Sequence, residues 1–157
     1  MSAAPPTEKQ ALAETASAAM YGRDTASKEL GIELDEIRPG YARMSMEVKE
    51  WMLQRHAVCH GGLMFALADT AMAFASNSHN ESHVAMHANI DFLRPAQAGE
   101  RLIAEASEGN RTRRTGMYDV VVRSDSGEKI CHFRGRTYGV GGSVIEGPDG
   151  NKEYAGV

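Results

Sequence analysis

Apolar positions change their period several times along this 157-residue chain, and each change marks an element. "TEKQALAETASAAMYGRD" has a helical period: Ala11, Leu12, Ala16, Ala19 and Met20 fall on one stripe, with charge elsewhere. "TASKEL" fits a second, short helix closed by Gly31. The period then drops to two. "IELDEI" reads as a strand, Arg38-Pro39-Gly40 as a turn, and "YARMSMEV" as a strand with Ala42, Met44, Met46 and Val48 on one side. "EWMLQRHAVC" keeps neither period and is a connection. From Gly62 to Asn77 the chain is apolar nearly all the way round, which predicts a central helix. Four strands follow in "SHVAMHANIDFL", "ERLIAEASEG", "GMYDVVVRSD" and "KICHFRGRTYGV", separated by the turn formers of "RPAQAG", "NRTRRT" and "SDSGE". From Gly141 the Gly-rich end predicts a frayed tail.

The order is helix, two strands, a long apolar helix, then four strands. Short connections favour antiparallel neighbours. An α+β fold satisfies the pattern, with a curved antiparallel sheet wrapped around one long central helix. There is no repeat and no linker, so one domain is expected.

Charge and composition narrow the classes of function. Lys and Arg total 17 against 21 Asp and Glu, a balance that argues against a nucleic-acid surface. Two cysteines are too few for a disulfide framework and suit a reducing compartment. The first ten residues have no signal-peptide pattern, and the longest apolar run, Leu63 to Ala75, is broken by Asp69 and too short to span a bilayer. A soluble, cytoplasmic protein without a membrane partner is expected.

Asp69 is the anomaly in this pattern. At helical spacing its neighbours are Phe65, Ala66, Met72 and Ala73, none of which offers a hydrogen bond or a positive charge. Either a partner reaches it from elsewhere in the fold, or it faces solvent, or it serves as a base or nucleophile in an apolar cleft. Ahead of it stands His60-Gly61-Gly62. That triplet can be a plain turn, or a helix start whose N–H groups face an anion; no phosphate-loop pattern accompanies it. Gly61 and Asp69 are eight residues apart, roughly 12 Å along a helix. One reacting carbonyl cannot touch both within one chain. If both act, the site joins Gly61 of one subunit to Asp69 of another.

These residues also carry a resemblance. "CHGGLMFALADTAMAFASN", "NIDFLRPAQAGERL", "RTGMYDVVV" and "FRGRTYGVGG" are similar to stretches of the hot-dog-fold acyl-CoA thioesterases, in particular the branch of phenylacetic acid degradation. The likeness runs from about Ala26 to Gly142. It implies a hot-dog domain over residues 26–142, after an N-terminal helical segment (1–25) and before a flexible tail (143–157). It implies hydrolysis of aryl-acetyl-CoA, or another medium-sized acyl-CoA, with no metal or other cofactor. The helix acid of such enzymes attacks the thioester or activates water, a role that falls on Asp69. The glycine after the histidine polarises the carbonyl, a role that falls on Gly61, and a Gln or Asn seven residues earlier assists, which is Gln54 here. Active sites are shared across a homodimer, and dimers commonly pair into a homotetramer. His60, Gly62 and Phe65 are the expected substrate neighbours. Where some relatives hold the water with Ser or Thr, this chain has Ala73 and Ala85, and Thr70 points elsewhere on the helix, so no water-holding group is assigned.

Arg111, Arg113 and Arg114 cluster beside a turn, either as solvated charge or as ligands for CoA phosphates; Arg134 and Arg136 share one strand face and are candidates to join them. His87, Asn89 and Asp91 also share a face, most simply as sheet-surface hydrogen-bonding groups. Cys59-His60 and Cys131-His132 lack zinc-ligand spacing, and the two cysteines are expected to pack as small hydrophobes. Two other functions compete. A hot-dog hydratase or dehydratase needs a His–acid pair, here only His60 with Asp69. A non-catalytic acyl-CoA-binding protein has no use for a carboxylate in the helix.

Overall fold

The computed structural model describes residues 6–147. Helices α1 (Glu8–Arg23) and α2 (Thr25–Leu30) come first. Thr7 starts α1, its Oγ1 accepting the Gln10 N–H at 3.2 Å. Asp24 closes α1 and opens α2, and Gly31 ends α2 at φ 72°. The apolar stripe of α1 is rotated from the expected one. Ala13, Ala16 and Ser17 are its buried residues, while Leu12 is 39% exposed. Two polar tethers set the rotation: Gln10 Nε2 donates to the Ile37 carbonyl and the Tyr21 hydroxyl to the Ile32 carbonyl, each at 2.9 Å. Both tethers lie on one helix face, and the small side chains between them turn inward with it.

The strands are β1 (Glu33–Arg38), β2 (Tyr41–Glu47), β3 (Glu81–Phe92), β4 (Arg101–Arg111), β5 (Thr115–Ser124) and β6 (Lys129–Ser143). They form one antiparallel sheet in the order β1-β2-β4-β5-β6-β3. The α+β reading therefore holds, with one departure from the short-connection rule. Consecutive strands β3 and β4 are not neighbours: β3 forms an edge and β4 lies between β2 and β5. The segment 93–100 crosses between them, and Arg94 holds it by donating to Glu100 at 2.8 Å and to Glu128 at 2.6 Å. At the other end, Gly141 and Gly142 belong to β6, which pairs Ser143 with Glu81. The frayed stretch was expected to begin there; residues 148–157 of the expected tail lie outside the described residues.

The segment before the central helix contains a 3-10 turn, Glu50–Met52, and a bridge from Leu53 to Cys59. Helix α3 (Gly61–Asn77) then packs against all six strands. Met64, Leu67, Met72 and Phe74 are buried on it, facing a sheet layer that includes Met44, Leu102, Val120 and Phe133. Burying each such side chain stabilises the fold by about 1.5–3 kcal/mol. The close approach depends on Gly135 of β6: a Cβ there would lie 2.1 Å from Met72 Sδ and 2.9 Å from Phe133 Cε1. Past the end of α3, His79 Nε2 and the buried Tyr118 hydroxyl both meet Glu108 Oε2 at 2.8 Å, which ties this end to β4 and β5. Among the described residues no helix is long and apolar enough to cross a membrane.

Gly135→Ala is expected to lower the unfolding free energy by about 1–3 kcal/mol through overpacking. On a Met72→Ala background the same change should cost much less, because the obstructing thioether is gone. Urea titration of all four proteins reads this cycle. Additive costs would show that Met72 does not set the requirement for glycine.

Candidate active site

The turn that opens α3 is bolted from both sides. Cys59 N–H donates to the Ala96 carbonyl and His60 N–H to the Met52 carbonyl, each at 2.8 Å. His60 is the N-cap, with an extended backbone at φ −61° and ψ 129°. Its Nδ1 accepts the Gly62 N–H at 2.9 Å, and its carbonyl accepts the Leu63 N–H at 3.0 Å. The Gly61 N–H has no hydrogen-bond partner among the described residues. Gly61 lies close under the end of β3: a Cβ would stand 3.1 Å from Phe92 Cζ, so the exposed ring would have to shift by a few tenths of an ångström to admit one.

Asp69 lies two turns further along the same helix, half-buried. It makes no hydrogen bond or ion pair among the described residues, and desolvation raises its pKa above the ordinary carboxylate value. The fold supplies no partner for it. Thr70 beside it spends its hydroxyl on the Ala66 carbonyl at 2.7 Å. Phe65, one turn before Asp69, packs edge-on against Phe133 with ring centroids 5.3 Å apart. Phe65, Ala66, Asp69 and Ala73 form a half-buried stripe along α3, apolar apart from the acid.

Gln54 sits in the connection before the cap. Its Oε1 accepts the His56 N–H at 2.8 Å, which fixes the carbonyl end of the amide and leaves its NH2 without a partner among the described residues. Ala57 completes this turn with φ 58°. Gln54, His60, Gly61 and Gly62 thus gather at the N-terminal end of α3.

The three arginines lie elsewhere. They flank the turn between β4 and β5, and Arg111 pairs with Glu81 at the start of β3. Arg113 and Arg114 line a cavity of about 380 Å³ with His83, Gly139, Gly141 and Gly142. This is the end of the sheet near the C-terminus of α3, away from Gly61 of the same chain. Arg134 is bound by Asp119 at 2.8 Å and 3.2 Å on the sheet face opposite α3, and does not join the other three. His87, Asn89 and Asp91 are exposed along β3. Cys59 and Cys131 are buried, and burial pushes the Cys131 thiol up to about 11, which disfavours a thiolate nucleophile. Among the described residues no group of three or more His, Cys, Asp or Glu is placed to hold a metal.

Phe92 escaped the sequence reading, because its contact with Gly61 spans the fold and leaves no local signal. The cap formed by His60 had a signal: a residue with a side-chain acceptor directly before a helix that opens on two glycines.

Residues 56–131 match the profile of the thioesterase superfamily. Acyl-coenzyme A thioesterase PaaI of Escherichia coli (strain K12) is 40% identical over 126 residues, 80% of this chain and 90% of that protein. The solved structure of E. coli PaaI, from the phenylacetic acid degradation operon, superposes with a TM-score of 0.85, covering 87% of this chain and 99% of that chain at 38% identity. A mutant of the phenylacetic acid degradation protein PaaI from Thermus thermophilus gives a TM-score of 0.71 at 38% identity, over 73% of this chain and 98% of that one. A hypothetical thioesterase of Streptococcus pneumoniae, solved with coenzyme A, shares the fold with a TM-score of 0.69 at 20% identity, over 71% of this chain and 90% of that one.

The raised pKa of Asp69 has a consequence for stability. The folded state holds the proton more tightly than the unfolded state, so stability falls as pH rises from the unfolded carboxylate value through the folded one. The penalty is fully present once the pH has passed the folded value. Asp69→Asn is therefore expected to melt at a higher temperature than the wild type at pH 7, with the gap closing toward about pH 4. Thermal melts across that range check it, and a gap independent of pH would show that Asp69 is not held against desolvation.

Proposed function

The chain belongs to the thioesterase superfamily, and from its 40% identity to an acyl-CoA thioesterase we propose that it hydrolyses aryl-acetyl-CoA or another medium-sized acyl-CoA to the free acid and CoA. The observation that carries the site assignment is the pair of unpartnered groups on α3, the Gly61 N–H and the Asp69 carboxylate. A donor without an acceptor and an acid without a donor are both poised for a thioester. The Gly61 N–H, with the helix dipole behind it and the Gln54 amide beside it, stabilises charge on the carbonyl oxygen. Asp69 takes a proton from a water that attacks the carbonyl carbon, or attacks that carbon itself to give a mixed anhydride that water then hydrolyses; in both cases the C–S bond breaks and the CoA thiolate leaves. His60, Gly62 and Phe65 border the thioester. Arg113 and Arg114, with Arg111 behind them, receive the CoA phosphates.

Eight residues of one helix separate the two groups, roughly 12 Å, so the working site takes Gly61 from one subunit and Asp69 from its partner in a homodimer. The free edge of β3 supports that assembly. The strand is 12 residues long and, among the described residues, pairs only with β6. Met86, Phe92 and Leu93 on and beside it are 55%, 52% and 55% exposed, an apolar edge that a second copy would cover. Pairing of dimers into a homotetramer follows from the resemblance. A hydratase built on His60 and Asp69 is disfavoured, because His60 Nδ1 already accepts the Gly62 N–H and is not open to act as a base.

Free-thiol release from a panel of acyl-CoAs tests the activity. Wild type is expected to prefer aryl-acetyl or medium-chain substrates, and Asp69→Asn should lose on the order of 10²–10⁴ in kcat. A wild type no faster than Asp69→Asn on every substrate refutes the assignment. Sharing of the site has its own test. Gly61→Pro removes the donor at a helix position that tolerates proline. Dimers formed by equimolar refolding of Gly61→Pro with Asp69→Asn, each nearly inactive alone, should recover about a quarter of wild-type activity, since half are mixed and each mixed dimer has one intact site. No recovery, despite mixed dimers on native mass spectrometry, would show that each site uses a single chain.

A further inference from the structure

We propose that His60 is a positioning residue, whose neutral imidazole caps α3 and so leaves the Gly61 N–H as the one free donor at the head of the helix. The inference rests on the reading of Gly61 as the oxyanion donor. A helix begins with N–H groups that have no partner within it. At α3 all but one are occupied among the described residues. The His60 N–H goes to Met52, the Gly62 N–H to His60 Nδ1, and the Leu63 N–H to the His60 carbonyl. Gly61 is the remainder.

Each member of the His-Gly-Gly triplet then has a distinct physical reason. Nδ1 accepts a hydrogen bond, so the ring carries its proton on Nε2 and is uncharged. The imidazole lies where a side chain on Gly62 would stand: a Cβ there would be 3.0 Å from Nδ1 and 3.1 Å from Cε1 of His60. The second glycine therefore seats the ring. The first glycine admits Phe92 and presents its N–H. Ser, Asn and Asp are stronger N-caps than His. An aspartate cap, however, would place a negative charge beside the amide that meets a developing oxyanion, opposing the chemistry. A neutral imidazole caps without that cost.

The test separates capping from direct contact with substrate. Hydrogen exchange at the Gly62 amide is read first, since it does not depend on activity. Exchange should quicken about tenfold or more in His60→Ala and return toward the wild-type rate in His60→Asn and His60→Asp. Thioesterase assays follow. His60→Ala is expected to lose about tenfold in kcat with KM within about twofold, and His60→Asn to recover most of that loss. His60→Asp should stay slow although its helix is capped. Unchanged Gly62 exchange in His60→Ala overturns the proposal, and so does a His60→Asn enzyme as slow as His60→Ala. Should the wild type hydrolyse no acyl-CoA, the exchange data still decide the cap, and the failure belongs to the functional reading alone.

Discussion

Eight residues of α-helix separate Gly61 from Asp69, and the rise per residue fixes that gap at roughly 12 Å. A rigid helix buried against six strands cannot bend to close it. Much of the molecule's organisation follows. The helix presents a free amide at its N-terminal end and an acid in its middle, both without a partner among the described residues. Neither has a use within one chain. In the proposed homodimer both would acquire one, a second α3 running beside the first in the opposite direction so that each amide meets the other's acid. A two-fold axis creates two such meetings at once, and the unpaired edge of β3 is the surface on which that axis can act. In the proposed site, the cost of leaving Asp69 without a partner is the source of its readiness to react.

Burial of α3 makes the geometry dependable. A helix resting on a solvated sheet face would slide, and the amide and acid would move with it. Gly135 lets Met72 sink to the sheet, Phe133 braces Phe65, and Glu108 ties the far end through His79 and Tyr118. At the near end the turn hangs from Met52 and Ala96 by backbone bonds. These contacts involve no reacting group. They fix the only two dimensions that count for catalysis, the position of the helix along its axis and its rotation about it.

The elements with a single dominant period were legible in the sequence. Helix α3 and strand β2 carry strong patterns that the fold obeys. Helix α1 is legible as a helix, but its buried face is rotated from its apolar stripe, since Gln10 and Tyr21 reach backbone carbonyls and hydrophobic periodicity does not register such tethers. The remoteness of β3 from β4 was hidden as well, since an eight-residue connection is long enough to reach a neighbour or to cross the sheet. The acid at position 69 was conspicuous, because charge within an apolar helix violates the local pattern and such violations collect at functional positions. Reasons for the glycines were only half legible. Two glycines before a helix announce a turn, but Phe92 lies 31 residues from Gly61, and nothing nearby in the chain reports its approach.

The arginines pose a problem of distance that the proposed dimer would also resolve. Arg113 and Arg114 stand near the C-terminal end of α3, beyond Asp69 and far from Gly61 of their own chain. In a single chain that placement would leave a phosphate ligand and an oxyanion donor at opposite ends of the molecule. With antiparallel helices, a thioester held between Asp69 and the partner's Gly61 lies about two helical turns short of the Arg113–Arg114 cavity, again roughly 12 Å. An extended pantetheine arm covers such a span. The arginines would then serve the acid of their own subunit and the amide of the other, so that the thioester end and the phosphate end of one substrate obey the same two-fold arrangement.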